Sequence, residues 1–295
     1  MERRFPLRFE SEVPAIRELY NQQKGLRWDP EVDIPWSRLD PTAYRPETLE
    51  AARLTWSRRA WGAYPGLGES TALLVRLCLE SGALGMDAKL FLSFRPAEEA
   101  KHLEACYMMA ERLGGYVADP GDAELRRISN QSFAQAALDP ECSVEAFVAA
   151  LGALDDQLDL NLVQSHLRHA RDEVARQALR LIATDKQRHV MFAWSLLASR
   201  LPALDGPGRA SVAEATRRVL EQAILAGYRN SWLLSMGSRA TWLQAEAETA
   251  QHGLGASTEA QERSVLRATV AQVRERLVVW GIELPRVLHS ELGAV

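Results

Sequence analysis

Two pentapeptides decide the fold of this 295-residue chain: Glu98-Glu99-Ala100-Lys101-His102 and Asp185-Lys186-Gln187-Arg188-His189. Each begins with an acid, has a basic residue in its fourth position and ends in histidine. They are 87 residues apart (189 − 102), and this shared spacing indicates an internal repeat. Only the second position differs in charge, with glutamate in one pentapeptide and lysine in the other.

An acid precedes each pentapeptide by the same distance. Glu69 lies 30 residues before Glu99 (99 − 69), and Asp156 lies 30 residues before Lys186 (186 − 156). Side chains three residues apart on a helix project from the same face, so Glu99 and His102 can bind one metal ion together. The register therefore predicts two helix hairpins that present equivalent side chains to one centre.

The second hairpin leaves a choice between neighbouring acids. Asp155, Asp156 and Asp159 lie close together, and a run of acids is typical of a solvated helix face. We take Asp156 as the residue that points inward, because it keeps the register of the repeat. Asp159 is the next candidate.

Ala- and Leu-rich windows from residue 46 onward predict an all-α protein, because apolar residues recur at three- and four-residue intervals. Breaks are expected at Tyr64-Pro65-Gly66 and at 81–85. We expect one domain, 1–295, divided into an extended arm (1–45), a bundle that carries the site (46–200) and covering helices (201–295). The arm has a short helix near 16–22. The predicted main helices are 67–80, 86–113, 144–170, 172–200, 209–237 and 258–279.

Composition excludes several classes of partner. A net charge of -4 gives no electrostatic reason to expect nucleic acid or an anionic membrane. The start lacks the apolar stretch of a signal peptide, so we expect a cytoplasmic protein. The three cysteines are scattered without paired spacing, which argues against disulfides and zinc–thiolate sites. A bound metal would therefore need oxygen and nitrogen ligands.

In these motifs the chain resembles the ferritin-like superfamily, and within it the diiron oxygenases and oxidases related to the radical-bearing subunit of ribonucleotide reductase. The resemblance covers roughly residues 50–200. It implies a ferritin-like four-helix bundle in which two helices each donate a carboxylate and two others each donate Glu-x-x-His. The arm, with Trp28-Asp29-Pro30 and Asp33-Ile34-Pro35-Trp36, looks like arms seen in that group.

The resemblance also implies a set of metal ligands. Carried over position by position, Glu69, Glu99 and His102 form one half-site, and Asp156 and His189 form the other. Iron is the expected metal, with manganese as the alternative.

Three further residues take supporting positions in the same pattern. Glu98 and Asp185 would orient the histidines by accepting their free N–H groups. Cys106, one turn after His102, occupies a position that holds cysteine in some related monooxygenases and the radical tyrosine in reductase subunits.

Lys186 departs from the family pattern, because glutamate is expected there. A protonated lysine cannot ligate a cation. Three carboxylates, Glu69, Glu99 and Asp156, balance Lys186 and a single divalent ion. Three outcomes stay open: one metal, two metals with Asp185 recruited, or none. A desolvated lysine with a lowered pKa could also act directly as a catalytic base or nucleophile.

The expected function is that of an O2-dependent oxidoreductase that hydroxylates, desaturates or N-oxygenates a small organic substrate. The substrate pocket should lie one turn from the ligands, near Leu73 and Cys106. The electron donor is not identified by the sequence. The rival hypothesis is a catalytically silent scaffold in which Lys186 replaces the metal and the protein acts through a partner; metal storage is the weakest alternative. The helices after residue 209 suit a covering layer or a homodimer face.

Overall fold

The structure is a computed structural model that describes residues 9–79, 85–131 and 133–295. The first eight residues of the arm and most of the predicted break at 81–85 lie outside these ranges. The α-helices in chain order are α1 (Pro14–Gly25), α2 (Pro46–Leu79), α3 (Met86–Leu92), α4 (Arg95–Arg112), α5 (Ala123–Ser129), α6 (Ala134–Leu138), α7 (Val144–Phe147), α8 (Asp156–His169), α9 (Glu173–Arg200), α10 (Gly206–Val219), α11 (Met236–Gln251) and α12 (Glu259–Val278).

Shorter elements complete the chain. Two π-helical segments, Val148–Asp155 and Leu220–Ile224, follow α7 and α10. Short 3₁₀ turns lie at Trp36–Arg38, Pro41–Ala43, Leu201–Ala203 and Ser231–Leu233. Strands β1 (Leu288–His289) and β2 (Gly293–Ala294) form a small antiparallel hairpin.

Four helices make the central bundle, which confirms the predicted all-α, ferritin-like class. Helix α2 packs along α4 and α8 packs along α9, so each hairpin of the repeat is one helix pair. Helix α4 also contacts α9, which brings the two pairs together. Helix α11 covers α2, α12 covers α8, and α1 of the arm packs against α3 and α9. The C-terminal helices thus form a covering layer.

Helix α2 continues through Pro65, so the predicted break at Tyr64-Pro65-Gly66 is wrong. Proline removes one helical hydrogen bond, at a cost of about 3 kcal/mol in an isolated helix. Both flanks of Pro65 are anchored in the core, where Trp56 and Leu77 are fully buried. Tertiary packing on either side therefore holds the helix together.

Two other boundaries differ from the prediction. The predicted helix 209–237 ends early, because Gly227 adopts a φ of 100° and a Cβ there would lie 2.8 Å from Leu234. The sequence also missed α11, whose Trp242 is buried. The predicted helix 86–113 is divided into α3 and α4, with Pro96 in the first turn of α4, where proline is tolerated.

The π-helical segment before α8 lies where α9 comes very close. A Cβ on Gly152 would lie 2.6 Å from the Cβ of Ala193. All eight residues of the segment, Val148–Asp155, are buried. Such segments shift the register of the following helix, and here the shift comes directly before Asp156. Within the described residues, no helix combines the length and apolar character needed to cross a membrane.

Candidate metal centre

The two pentapeptides meet at the centre of the bundle. Glu99 and His102 lie on the buried face of α4, and Lys186 and His189 lie on the buried face of α9. Their exposed fractions are 3%, 1%, 7% and 0%. Helix α2 approaches this centre closely, since a Cβ on Gly66 would lie 2.9 Å from the Glu99 carboxyl carbon. Glycine therefore makes room for the Glu99 side chain.

Each histidine is held by an acid from the other hairpin. His102 Nε2 lies 3.1 Å from Asp185 Oδ2, and His189 Nε2 lies 2.8 Å from Glu98 Oε2. Arg188 donates to both acids and joins the two contacts. These are the contacts expected for Glu98 and Asp185 from the resemblance. Because an ionised carboxylate only accepts, Nε2 carries the proton in both histidines.

The arm completes this network, which the sequence did not predict. The Trp28 indole donates to Asp185 Oδ2 at 2.8 Å and stacks on the His102 ring. Gln23 of α1 donates to Glu98 at 3.0 Å. Burial opposes ionisation of Asp185, but the hydrogen bond from His102, the charge of Lys101 and the hydrogen bond from Trp28 outweigh it and hold the pKa of this carboxyl well below its usual range. Burial opposes ionisation of Glu98 too, but the hydrogen bond from His189 and the charge of Arg188 lower its pKa. Both acids are therefore anionic.

The other nitrogen of each histidine faces Glu99. His102 Nδ1 lies 3.2 Å from Glu99 Oε2, and His189 Nδ1 lies 3.2 Å from Glu99 Oε1. With the proton on Nε2, each Nδ1 presents a lone pair to a carboxylate oxygen. His189 Nδ1 is buried and has no hydrogen-bond partner among the described residues. Two acceptors face each other, so this arrangement calls for a cation or an extra proton between them.

Lys186 forms ion pairs where its glutamate counterpart would bind metal. Its ammonium lies 2.6 Å from Asp159 Oδ2 and 3.8 Å from Glu99 Oε2. Burial disfavours the charged form, but Asp159 and Glu99 outweigh it and raise the pKa of Lys186. These ion pairs favour the ammonium form of Lys186 over the neutral lysine with a lowered pKa that was considered as a catalytic base or nucleophile. Its partner is Asp159, the second choice from the sequence.

A second cation, Arg95, was missed by the sequence reasoning. Its guanidinium lies 2.6 Å from Asp156 Oδ2 and 3.7 Å from Glu99 Oε1. Arg95 stands four residues before Glu99, a spacing at which opposite charges on a helix interact. This spacing of Arg95 and Glu99 is the sequence feature that could have predicted the contact. Asp156 therefore faces Arg95 rather than the histidines.

Glu69 stands apart from the histidines. Its carboxylate accepts the backbone N–H of Phe133 at 3.1 Å. Burial raises the pKa of Glu69 to about 7, although the Phe133 hydrogen bond opposes the shift. Among the described residues, no hydrogen bond or ion pair joins Glu69 or Asp156 to either histidine. The structure thus separates the five predicted ligands into a close group of three and an outer pair.

The charged side chains around the centre do not balance, because carboxylates outnumber cations. The charges of Glu98 and Asp185 are balanced by Arg188 and Lys101. Beyond these four, the centre has five carboxylates and three cations: Glu69, Glu99, Asp155, Asp156 and Asp159 against Arg95, Lys186 and Arg229. With neutral histidines, two negative charges remain, which equals the charge of one divalent ion. The side chains as described do not yet converge: no group of three His, Cys, Asp or Glu residues is arranged around a metal position. The Glu99 carboxylate itself lies between the histidine Nδ1 atoms.

Two cavities adjoin the centre. The larger has a volume of about 90 Å³ and is lined by His102, Cys106 and Lys186. The smaller, about 20 Å³, is lined by Glu69, Leu73 and other residues of α2, α8 and α9. Burial raises the pKa of the Cys106 thiol to about 12, so Cys106 is a neutral wall of the larger cavity.

Comparison with known proteins identifies the fold. No family model and no curated protein matches the sequence. An R2-like ligand-binding oxidase with aerobically reconstituted metal cofactor after photoconversion superimposes with a TM-score of 0.68 at 14% identity, covering 91% of this chain and 94% of that chain. The same oxidase with an aerobically reconstituted Mn/Fe cofactor (long soak) gives 0.68 and 14%, with 90% and 94% covered.

The fold is that of the R2-like oxidases. This confirms, at the level of fold, the resemblance drawn from the two pentapeptides. At 14% identity the likeness concerns the backbone arrangement, so the chemistry of the R2-like fold in this chain has to be argued from its own side chains.

Proposed function

We propose that the chain is an O2-dependent oxidoreductase that holds one first-row metal ion between Glu99, His102 and His189. Two histidines and one carboxylate, with further coordination positions open, are a donor set typical of non-haem iron(II) oxygenases. The observation that carries the proposal is the buried His189 Nδ1, which has no hydrogen-bond partner in the described part of the chain and faces a carboxylate oxygen at 3.2 Å. A cation between these atoms would satisfy both.

The charge balance supports one ion rather than two. One divalent ion cancels the two surplus negative charges, whereas a second would leave two positive charges in a buried site. Asp156 and Asp159 are engaged by Arg95 and Lys186 at 2.6 Å each. Iron is the favoured metal, and manganese is the alternative, because the structural neighbour named above carries Mn/Fe.

Each residue of the centre then has a defined task. A bound iron ion would supply the chemistry of O2 activation. Asp185 and Glu98 keep the proton on Nε2 of each histidine, which leaves Nδ1 free as a ligand atom. Lys186 stabilises the Glu99 carboxylate, whose pKa is well below its ordinary value despite its burial. His102 and Cys106 border the cavity in which a small organic substrate would bind.

A second candidate function, a catalytically silent scaffold, is favoured by the completeness of the ion pairs. Two protons could replace the divalent ion. Burial raises the pKa of Glu69 to about 7. Burial and Arg95 lower the pKa of His189, but the acids Glu98 and Glu99 outweigh them and raise it. A metal-free centre with protonated Glu69 and His189 would therefore be neutral.

Metal analysis separates the two candidates. Protein purified under low oxygen should bind one Fe(II) per chain, and O2 should then produce an optical absorbance change. His189→Gln should abolish both. His166→Gln should change neither, because this buried histidine borders the same cavity but binds Ser257 at 3.0 Å. Absence of metal and of any spectral change at every iron load would support the scaffold and refute the enzyme.

A further inference from the structure

The larger cavity combines residues of the candidate metal centre with an unusual set of charges. Besides His102, Cys106 and Lys186, its lining includes Arg58 and Arg59 of α2. A cavity needs roughly 10–15 Å³ to hold one water molecule. The volume of about 90 Å³ therefore accommodates on the order of six to nine non-hydrogen atoms. The space suits a small molecule and excludes a long chain.

Three of the four cations that line this cavity have a carboxylate partner. Arg58 binds Glu246 at 2.8 Å. Lys186 binds Asp159 at 2.6 Å. Arg229, the third, binds Asp155 at 2.9 Å. The fourth cation, Arg59, has no such partner among the described residues.

Arg59 is held by an aromatic ring instead of an acid. Its guanidinium lies 4.7 Å from the centre of the Trp56 ring. Its Nη1 atom is buried and has no hydrogen-bond partner in the described part of the chain. Arg59 as a whole is partly exposed, but a buried N–H group without a hydrogen bond, on a cation without an ion pair, is costly, so a ligand that completes it is expected here.

The nearest acids do not neutralise Arg59. Glu246 is already bound to Arg58 and to Ser231. Glu262 accepts a hydrogen bond from Asn230 at 2.8 Å, and burial together with the neighbouring Glu246 carboxylate raises its pKa. Glu262 therefore favours its protonated, uncharged form. The cavity keeps one surplus positive charge at Arg59.

We propose that the larger cavity binds a small organic acid, with its carboxylate on Arg59 and its remaining atoms directed past Cys106 towards His102. The Arg59 guanidinium can take a carboxylate in a two-hydrogen-bond fork. Arg59, Cys106 and His102 all line this cavity, so an acid bound at Arg59 can extend past the thiol. The assignment of this acid as the substrate rests on the proposed function. Its binding does not.

Isothermal titration calorimetry with butanoate tests the site, using metal-free protein kept in EDTA. Butanoate has six non-hydrogen atoms and fits the volume; butyramide, its uncharged counterpart of equal size, is the matched ligand control. One butanoate should bind per chain, and butyramide should bind at least tenfold more weakly. A charge-assisted hydrogen bond contributes about 1.5–3 kcal/mol, equivalent to roughly a 10–100-fold change in affinity.

Three variants locate the bound acid. Arg59→Gln should weaken butanoate binding at least tenfold without lowering the melting temperature, because it removes a charge that has no ion pair among the described residues. Arg59→Lys keeps the charge, loses the fork and should bind with intermediate affinity. Arg112→Gln is the control, since this guanidinium also stacks on a tryptophan, 4.2 Å from the Trp36 ring centre, but lies outside the cavity. If Arg59→Gln does not fold, Arg59→Lys decides.

The outcomes keep this proposal separate from the proposed function. No butanoate binding, equal binding by Arg59→Gln, or equal affinity for chloride and butanoate would overturn the acid site, whatever the metal content. Binding that depends on Arg59 in a protein that takes up no iron would uphold the acid site and refute the oxidoreductase.

Discussion

The two hairpins of the repeat have the same spacing but different contents. In the first, α2 runs without interruption to Glu69 and α4 supplies Glu99. In the second, a π-helical segment ends directly before Asp156, and α9 supplies Lys186. The lysine reaches Asp159, one turn beyond the position that the repeat indicates. The second hairpin therefore contains an ion pair between Lys186 and Asp159, whereas Glu69 of the first hairpin has no ion pair among the described residues.

The cations of the two hairpins also occupy positions that do not correspond. The counterpart of Arg95 in the second hairpin is Ile182 (95 + 87), and the counterpart of Lys186 in the first is Glu99. The histidines, by contrast, are held in a symmetric way by Asp185 and Glu98. The two hairpins therefore orient their histidines in equivalent ways, through Asp185 and Glu98. The other carboxylates and the cations around the histidines are not arranged equivalently.

Replacing Lys186 by the glutamate found at the equivalent position of the first hairpin should have the largest effect on metal content and stability. Lys186→Glu changes the surplus at the centre from two to four negative charges, which corresponds to two divalent ions. We expect metal content to rise from one towards two per chain. The metal-free variant should lose about 3–5 kcal/mol of unfolding free energy, because Asp159 keeps, among the described residues, only Arg229 at 3.4 Å while a further carboxylate is added beside Glu99. Metal analysis and urea unfolding measure these changes.

A neutral replacement is the control for this variant. Lys186→Gln removes the cation without adding a carboxylate, so its metal content should stay at one. Metal content that stays the same in Lys186→Glu would refute the charge argument.

Replacing the acids that orient the histidines should have a smaller effect, which is on metal affinity. Asp185→Asn and Glu98→Gln each remove the anionic acceptor of one histidine N–H, so metal affinity should fall about 10–100-fold in each. Competition with a chromogenic chelator measures the affinity. Similar losses would show that the two hairpins hold their histidines equally.

Asp87→Asn supplies a matched control for these acids. Asp87 is buried and binds Arg17 and Ser11 of the arm, away from the histidines. Its loss should leave metal affinity unchanged. An equal loss of affinity in Asp87→Asn would attribute the effects to general destabilisation.

Replacing Glu69, the acid of the first hairpin, should have the smallest effect, which is on the pH dependence of stability. Because the pKa of Glu69 is raised from 4.5 to about 7, the metal-free folded state binds a proton that the unfolded state releases. The stabilising contribution is complete below pH 4.5 and is lost as the pH rises to about 7. The slope should reach at most about 1.4 kcal/mol per pH unit.

Glu69→Gln should flatten this slope in urea unfolding measured between about pH 5 and pH 7. The exposed Glu104 of the same bundle provides the control, since Glu104→Gln should keep the wild-type slope. Identical slopes in Glu69→Gln and wild type would show that Glu69 stays ionised in the fold.

The sequence by itself determined the helical bundle and the pairing of its hairpins. Apolar spacing sets the face that each helix buries, and the 87-residue register of Glu99–His102 and Lys186–His189 required both pentapeptides to meet. The family resemblance of these motifs also implied that Glu98 and Asp185 accept hydrogen bonds from the histidines.

Only the tertiary structure decided which charges meet. Lys186 pairs with Asp159 rather than Asp156, in a helix that follows a π-helical segment packed closely against α9 at Gly152 and Ala193. Arg95 entered the centre because the fold buries it against Asp156, a residue 61 positions away (156 − 95). Helix periodicity is local and can be read along the chain, whereas ion pairing in a core depends on distances between helices that only packing sets.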